Sequence, residues 1–184
     1  MITPFKENGE IDFNAIPDII EPLISGGVDY LVVLGTTAET ATLSKEEKIN
    51  LVDQIVDFTS GHLPIVLGLG GNDTQHTLDM FDWFDLGAFS AVLSVSPYYN
   101  KPNQEGLYQH FKRIASKSSL PVILYNVPSR TGVNITPETV LRLAKDFENI
   151  VALKEASGNF QQAQTLIKQC HPDFSILSGD DEMS

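Results

Sequence analysis

Lys154 is the candidate nucleophile in this sequence. It follows Ile150-Val151-Ala152-Leu153, an apolar run that reads as a buried strand, and precedes Glu155-Ala156. An ammonium at the end of such a strand is costly to desolvate. Losing its proton lowers that cost and leaves a nucleophilic amine. Such an amine can form a Schiff base with a keto group, and the resulting iminium is an electron sink. A lone lysine more often pairs with an acid or reaches out to water, so its companions must decide. Thr36 and Thr37 offer hydroxyls and backbone N–H groups suited to a carboxylate, or form an ordinary threonine turn. Tyr125 closes another apolar run with a hydroxyl able to relay protons, or is a core tyrosine with a satisfied hydroxyl. Arg130 follows on a loop and can hold a carboxylate bidentately, or is a surface arginine.

The elements that would carry these residues repeat. Apolar runs at Tyr30–Leu34, Pro64–Leu67, Ser90–Val95, Pro121–Tyr125, Ile150–Leu153 and Phe174–Leu177 read as strands. They recur about every thirty residues, the size of a βα unit. Helical segments lie between them. Asp12 can cap a first helix that stops at Gly26-Gly27, with kinks at Pro17 and Pro22. Ser44-Lys45-Glu46-Glu47 is a capping box whose helix closes at Gly61. Asp73 or Thr74 opens a third helix that ends before Gly87, and Asn103 opens a fourth. Thr136-Pro137 opens a fifth, and Gly158-Asn159 precedes a sixth. Alternating strands and helices imply an α/β fold with a parallel sheet, either open or closed into a barrel.

The polar clusters have a common address. Gly35-Thr36-Thr37-Ala38-Glu39, Gly68–Asn72, Pro97-Tyr98-Tyr99-Asn100, Tyr125–Arg130, Lys154-Glu155 and Ser178-Gly179-Asp180-Asp181 each follow a strand. In a parallel barrel these C-terminal ends meet on one face, where such proteins carry their sites. Gly68-Leu69-Gly70-Gly71-Asn72-Asp73 lacks the third glycine of a dinucleotide loop, because Asp73 occupies that position. His62, His76, His110 and His171 are scattered, so no metal site is expected.

The 184 residues, 42% apolar and 20% charged, suggest one soluble globular domain. The formal net charge of −12 argues against a nucleic-acid partner, and no apolar run is long enough to span a bilayer. Met1-Ile2-Thr3-Pro4-Phe5-Lys6 has no signal-peptide pattern. The single Cys170 fits a reducing cytoplasm and is expected in a helix as a small core residue.

Four motifs together carry a resemblance: GTTAE at Gly35–Glu39, PYYNKP at Pro97–Pro102, YNVPSRTG at Tyr125–Gly132 and KEASG at Lys154–Gly158. The chain resembles the dihydrodipicolinate synthase family, within the pyruvate-dependent class I aldolase superfamily that includes N-acetylneuraminate lyase. The resemblance runs from Thr3-Pro4-Phe5 to Gly179-Asp180-Asp181. It implies a (β/α)8 TIM barrel that condenses pyruvate with L-aspartate 4-semialdehyde in lysine and diaminopimelate biosynthesis, as a homodimer or homotetramer in the cytoplasm. It implies that Lys154 forms the imine and that no separate cofactor is needed. Tyr125 and Thr36 would relay protons, with Tyr99 completing the relay from a neighbouring subunit. Thr37 would bind the pyruvate carboxylate, Arg130 the semialdehyde carboxylate, and Gly179 would line the site. The SRTG run favours the synthase over a sugar-acid aldolase using the same imine.

The resemblance also sets expectations about extent and regulation. A barrel of this kind needs about 250 residues. The chain would hold the end of strand 1 and strands 2–7, with strand 8 and the C-terminal helices outside it. The 184 residues alone are then expected to be inactive or to aggregate, with sheet edges unpaired. Ala41, Asn72 and Tyr98 match the family's lysine-feedback site and Thr40 is close to its serine. Lys45, Lys48 and His76 stand where lysine-sensitive members carry histidines and an acid, so weak inhibition by lysine is expected.

Overall fold

The computed structural model of the chain describes residues 1–180, which form two compact units. One is Met1–Gly68 with Trp83–Ala91, and the other is Leu69–Asp82 with the chain from Val92 onward.

The first unit begins with Met1 N donating to Val32 O at 2.9 Å, followed by a short hairpin. Phe5 and Ile11 form an isolated antiparallel bridge. Lys6 N donates to Glu10 O at 2.8 Å, and Gly9 supplies the left-handed turn with φ +86°. Asp12 caps as expected, but it caps a single 3-10 turn over Phe13–Ala15, through Asn14 N at 3.2 Å. Helix α1 (Ile16–Ser25) follows. Pro17 lies in its first turn, where a missing N–H costs nothing, and Pro22 is tolerated inside. Strands β1 (Leu31–Val33) and β2 (Ile65–Gly68) pair in parallel, Leu31 with Ile65 through Val33 with Leu67.

Helix α2 (Lys45–Thr59) starts at the full capping box. Glu47 N donates to Ser44 Oγ at 3.2 Å, and Ser44 N to Glu47 Oε2 at 2.8 Å. It closes one residue earlier than expected, because Ser60 itself takes the left-handed position at φ +45° ahead of Gly61. Gly68 has a packing role. A Cβ there would lie 2.4 Å from Leu34 O, and Leu34 is itself left-handed at φ +52°. The glycine lets two strand ends approach closely.

In the second unit, Asp73 caps helix α3 (Thr74–Met80) by accepting from Gln75 N and His76 N. This helix stops at Met80, well short of Gly87, which sits in a 3-10 turn capped by Asp85. Strands β3 (Ala91–Val95), β4 (Val122–Asn126), β5 (Ile150–Glu155) and β6 (Ser175–Ser178) run parallel in that order. The helices between them are α4 (Gln104–Lys117), α5 (Pro128–Thr131), α6 (Pro137–Asp146) and α7 (Phe160–Gln169). Asn103 and Asn159 cap α4 and α7 through Gly106 N and Gln162 N. Leu107, Phe111 and Ile114 of α4, Leu124 of β4, Leu143 of α6, Leu153 of β5 and Leu166 of α7 form the core.

Cys170 does not join that core. Gln162 and Leu166 are buried at helical spacing, and Cys170 is next in that series. The backbone has already turned extended there (φ −70°, ψ 158°), which leaves the thiol half-exposed. No helix of the described residues is long and apolar enough to cross a membrane.

Candidate active site

Strands β4 and β5 set the site. Their register pairs Tyr125 with Lys154 and Asn126 with Glu155. Successive strand residues face opposite sides, so Tyr125 and Lys154 share one face and Asn126 and Glu155 the other. Lys154 lies inside the strand, not at its end, because backbone pairing continues through Glu155 after the apolar run has stopped.

Lys154 Nζ lies 4.6 Å from the centroid of the Tyr125 ring. A ring face attracts an ammonium by about 0.5–1 kcal/mol at an exposed site. Burial acts the other way: desolvation lowers the pKa of the half-buried Lys154. Its side chain makes no ion pair or hydrogen bond among the described residues. Tyr125 is itself buried. Its carbonyl is held by Ser96 N (3.1 Å) and Ser96 Oγ (3.2 Å). Gly179 closes the other side of the lysine. Its N–H donates to Glu155 O at 2.8 Å. A Cβ on Gly179 would stand 3.1 Å from Lys154 Cε and 2.7 Å from Ala156 Cβ. Lys154, Tyr125 and Gly179 are therefore brought together.

The opposite face holds a polar cluster that the sequence reading missed. Asn126 Nδ2 donates to both carboxylate oxygens of Glu155, at 3.1 Å each, and to Asn134 Oδ1 at 2.7 Å. Gln162 Nε2 donates to Glu155 Oε2 at 2.8 Å, and Ser157 N to Glu155 Oε1 at 2.7 Å. Asn134 Nδ2 donates to Gln162 Oε1 at 2.9 Å, and Ile135 N to Asn126 Oδ1 at 2.9 Å. Asn126, Glu155 and Gln162 are buried. The available signal was Gln162, a polar residue on the apolar i, i+4 series of α7.

The other expected site residues lie on separate elements. Arg130 lies on α5, a short helix and not a loop. It is exposed, with no side-chain hydrogen bond or ion pair among the described residues. The neighbouring Gly132 is left-handed at φ +71°, and a Cβ there would meet Lys101 Cε at 2.9 Å. That contact joins the PYYNKP and SRTG loops. Tyr99 is 83% exposed and left-handed at φ +72°. Thr36 and Thr37 belong to the first unit, exposed on a one-turn 3-10 helix (Thr36–Ala38) directly after β1. Asp181 lies outside the described residues. Among those residues, no group of three or more His, Cys, Asp or Glu is placed to hold a metal ion.

Among the described residues, a desolvated lysine with no ion pair stands beside a buried tyrosine on the neighbouring parallel strand, an arrangement that imine chemistry can use. Residues 1–184 match the Dihydrodipicolinate synthetase family, and the chain belongs to that family. It is 56% identical over 181 residues to the 4-hydroxy-tetrahydrodipicolinate synthase of Flavobacterium psychrophilum, covering 98% of this chain and 62% of that protein. It is 47% identical over 184 residues to the synthase of the same name from Bacillus subtilis, covering 100% and 62%. The crystal structure of dihydrodipicolinate synthase from Aquifex aeolicus superposes with a TM-score of 0.94 at 41% identity, covering 100% of this chain and 62% of that one. The chain thus spans about 62% of the length of these relatives.

Proposed function

We propose that this chain carries the imine-forming lysine of a 4-hydroxy-tetrahydrodipicolinate synthase, which condenses pyruvate with L-aspartate 4-semialdehyde. The observation that carries the reading is the half-buried Lys154 amine, without an ion pair among the described residues and 4.6 Å from the Tyr125 ring on the registered neighbouring strand. The names of the relatives at 56% and 47% identity support the same reaction.

On this reading the neutral Lys154 amine attacks the keto carbon of pyruvate. The keto oxygen leaves as water, taking one proton from the amine and one delivered through the proton relay, and the new C=N bond carries the positive charge as an iminium. Loss of a methyl proton gives the enamine, which forms a carbon–carbon bond to the aldehyde carbon of the second substrate. Tyr125 and Thr36 relay protons, and Tyr99 of the partner subunit completes the relay in a homodimer or homotetramer. Thr37 holds the pyruvate carboxylate, Gly179 lines the site and Arg130 binds the semialdehyde carboxylate. The covalent imine makes a separate cofactor unnecessary. The six strands are read as strands 2–7 of a (β/α)8 barrel, in a cytoplasmic enzyme of lysine and diaminopimelate biosynthesis.

Borohydride reduction in the presence of pyruvate tests the reading in the complete gene product. The expected result is a reduced pyruvate adduct mapped to Lys154 by mass spectrometry. An unmodified Lys154 rules out the imine. Consumption of aspartate semialdehyde identifies the synthase, whereas turnover of a sugar acid in its place would identify an aldolase of the same superfamily.

A further inference from the structure

The buried face behind the lysine has properties that a filler of the core would lack. A buried carboxylate normally has a cationic partner, because an unpaired one is costly to desolvate. Glu155 has none among the described residues. Its charge is met by neutral donors from three places: Asn126 on β4, Gln162 on α7 and the backbone N–H of Ser157 in the turn after β5. Asn134, just before α6, closes the ring by accepting from Asn126 and donating to Gln162. The donors and acceptors are matched, so the ring specifies one arrangement of two strands and their helices.

Its place in the chain gives that specification a consequence. Asn126 and Glu155 are paired in register. They are the residues immediately after Tyr125 and Lys154, on the opposite face of the same two strands. The β4–β5 ladder is irregular at its start, where Val122 pairs with Ile150 and Ile123 with Ala152, leaving Val151 as an extra residue. A ladder with a bulge at one end has no fixed register from that end. Slippage by one residue moves a side chain to the other face, which would carry Lys154 away from Tyr125. The Asn126–Glu155 bonds pin the other end.

We propose that the Asn126–Glu155–Gln162–Asn134 ring is the positioning device of the site, locking the β4–β5 register so that Lys154 faces Tyr125 and Gly179. These are positioning residues, none of which touches substrate on the reading above. The proposal rests on that imine reading.

The test is the rate of borohydride trapping at saturating pyruvate, measured in the complete gene product and normalised to folded protein by circular dichroism. Glu155→Gln puts an amide NH2 against the NH2 groups of Asn126 and Gln162. It is expected to slow trapping at Lys154 by about tenfold or more, since small misplacements of a reacting group cost that much. KM for pyruvate is expected to stay within about threefold. Gln162→Ala, which leaves the Asn126 and Ser157 bonds in place, serves if Glu155→Gln does not fold; its expected loss is about threefold. Wild-type trapping rates in Glu155→Gln, or in Gln162→Ala where that variant is used, overturn the positioning role and leave the imine reading intact. Absence of a Lys154 adduct in the wild-type protein overturns both.

Discussion

On the proposed reading Lys154 attacks a ketone, which an amine does only when neutral, so its surroundings bear directly on rate. Burial lowers its pKa, and the fraction of neutral amine at a given pH rises as the pKa falls. The initial rate of pyruvate imine formation is therefore expected to increase with pH and to reach half its maximum below the ordinary lysine value of about 10.4. A stopped-flow profile with its midpoint at or above that value would contradict this. Gly179 gives a second expectation at the same scale. Its backbone lies against the lysine stem, and a Cβ would stand 3.1 Å from Lys154 Cε and 2.7 Å from Ala156 Cβ. Gly179→Ala should push the amine off line and lower kcat/KM by about tenfold or more, measured by coupled turnover of pyruvate and semialdehyde.

Where α3 meets α4, a histidine links stability to pH. His110 is buried, its Nδ1 is 2.8 Å from Thr74 Oγ1, and its Nε2 has no hydrogen-bond partner among the described residues. Burial first, and the Arg113 charge second, push its pKa down to about 4. The unfolded chain holds a histidine near 6.5, so it binds the proton over the window in which the fold refuses it. Stability from this group is complete above about pH 6.5 and is lost as pH falls through about 4, by about 3 kcal/mol in all. Urea melts at pH 7 and pH 4.5 should show most of that loss, and His110→Gln should flatten the dependence while lowering stability at pH 7. The capping box of α2 is simpler: Ser44→Ala should cost about 1 kcal/mol, read as a lower Tm at neutral pH. That box was legible because its partners lie three residues apart. The strands were legible because each is built around a short apolar run, and the placing of Tyr125 and Lys154 close to strand ends followed from them. The full extent of β5 was not, since Lys154 and Glu155 end the apolar pattern while the backbone ladder continues. Helix α5 was hidden because Pro128-Ser129-Arg130 has the composition of a turn. The ring around Glu155 joins residues from 126 to 162, and only its folded registers bring them together.

For the whole molecule, the question is which parts of the site one copy supplies alone. Tyr99 is 83% exposed on a left-handed backbone with φ +72°. That conformation is uncommon for a bulky non-glycine residue, and the ring gains little burial within its own chain. Both features are in keeping with a side chain presented to a second copy, as the proposed relay requires. Reciprocal sharing has a quantitative signature in a symmetric pair, where each copy lends the same residue to the other's site. On the proposed reading Lys154→Ala removes the nucleophile and Tyr99→Phe removes a lent hydroxyl; each variant alone should lose activity by tenfold or more. In a hybrid pair, the Lys154→Ala copy still lends an intact Tyr99 to the Tyr99→Phe copy, whose lysine is intact. One of its two sites is then complete. If equal amounts of the two variants are unfolded and reassembled together, about half of the pairs are hybrids, and about a quarter of wild-type activity should return. A mixture no more active than the sum of its separate components would place Tyr99 in its own copy's site, or outside the relay altogether.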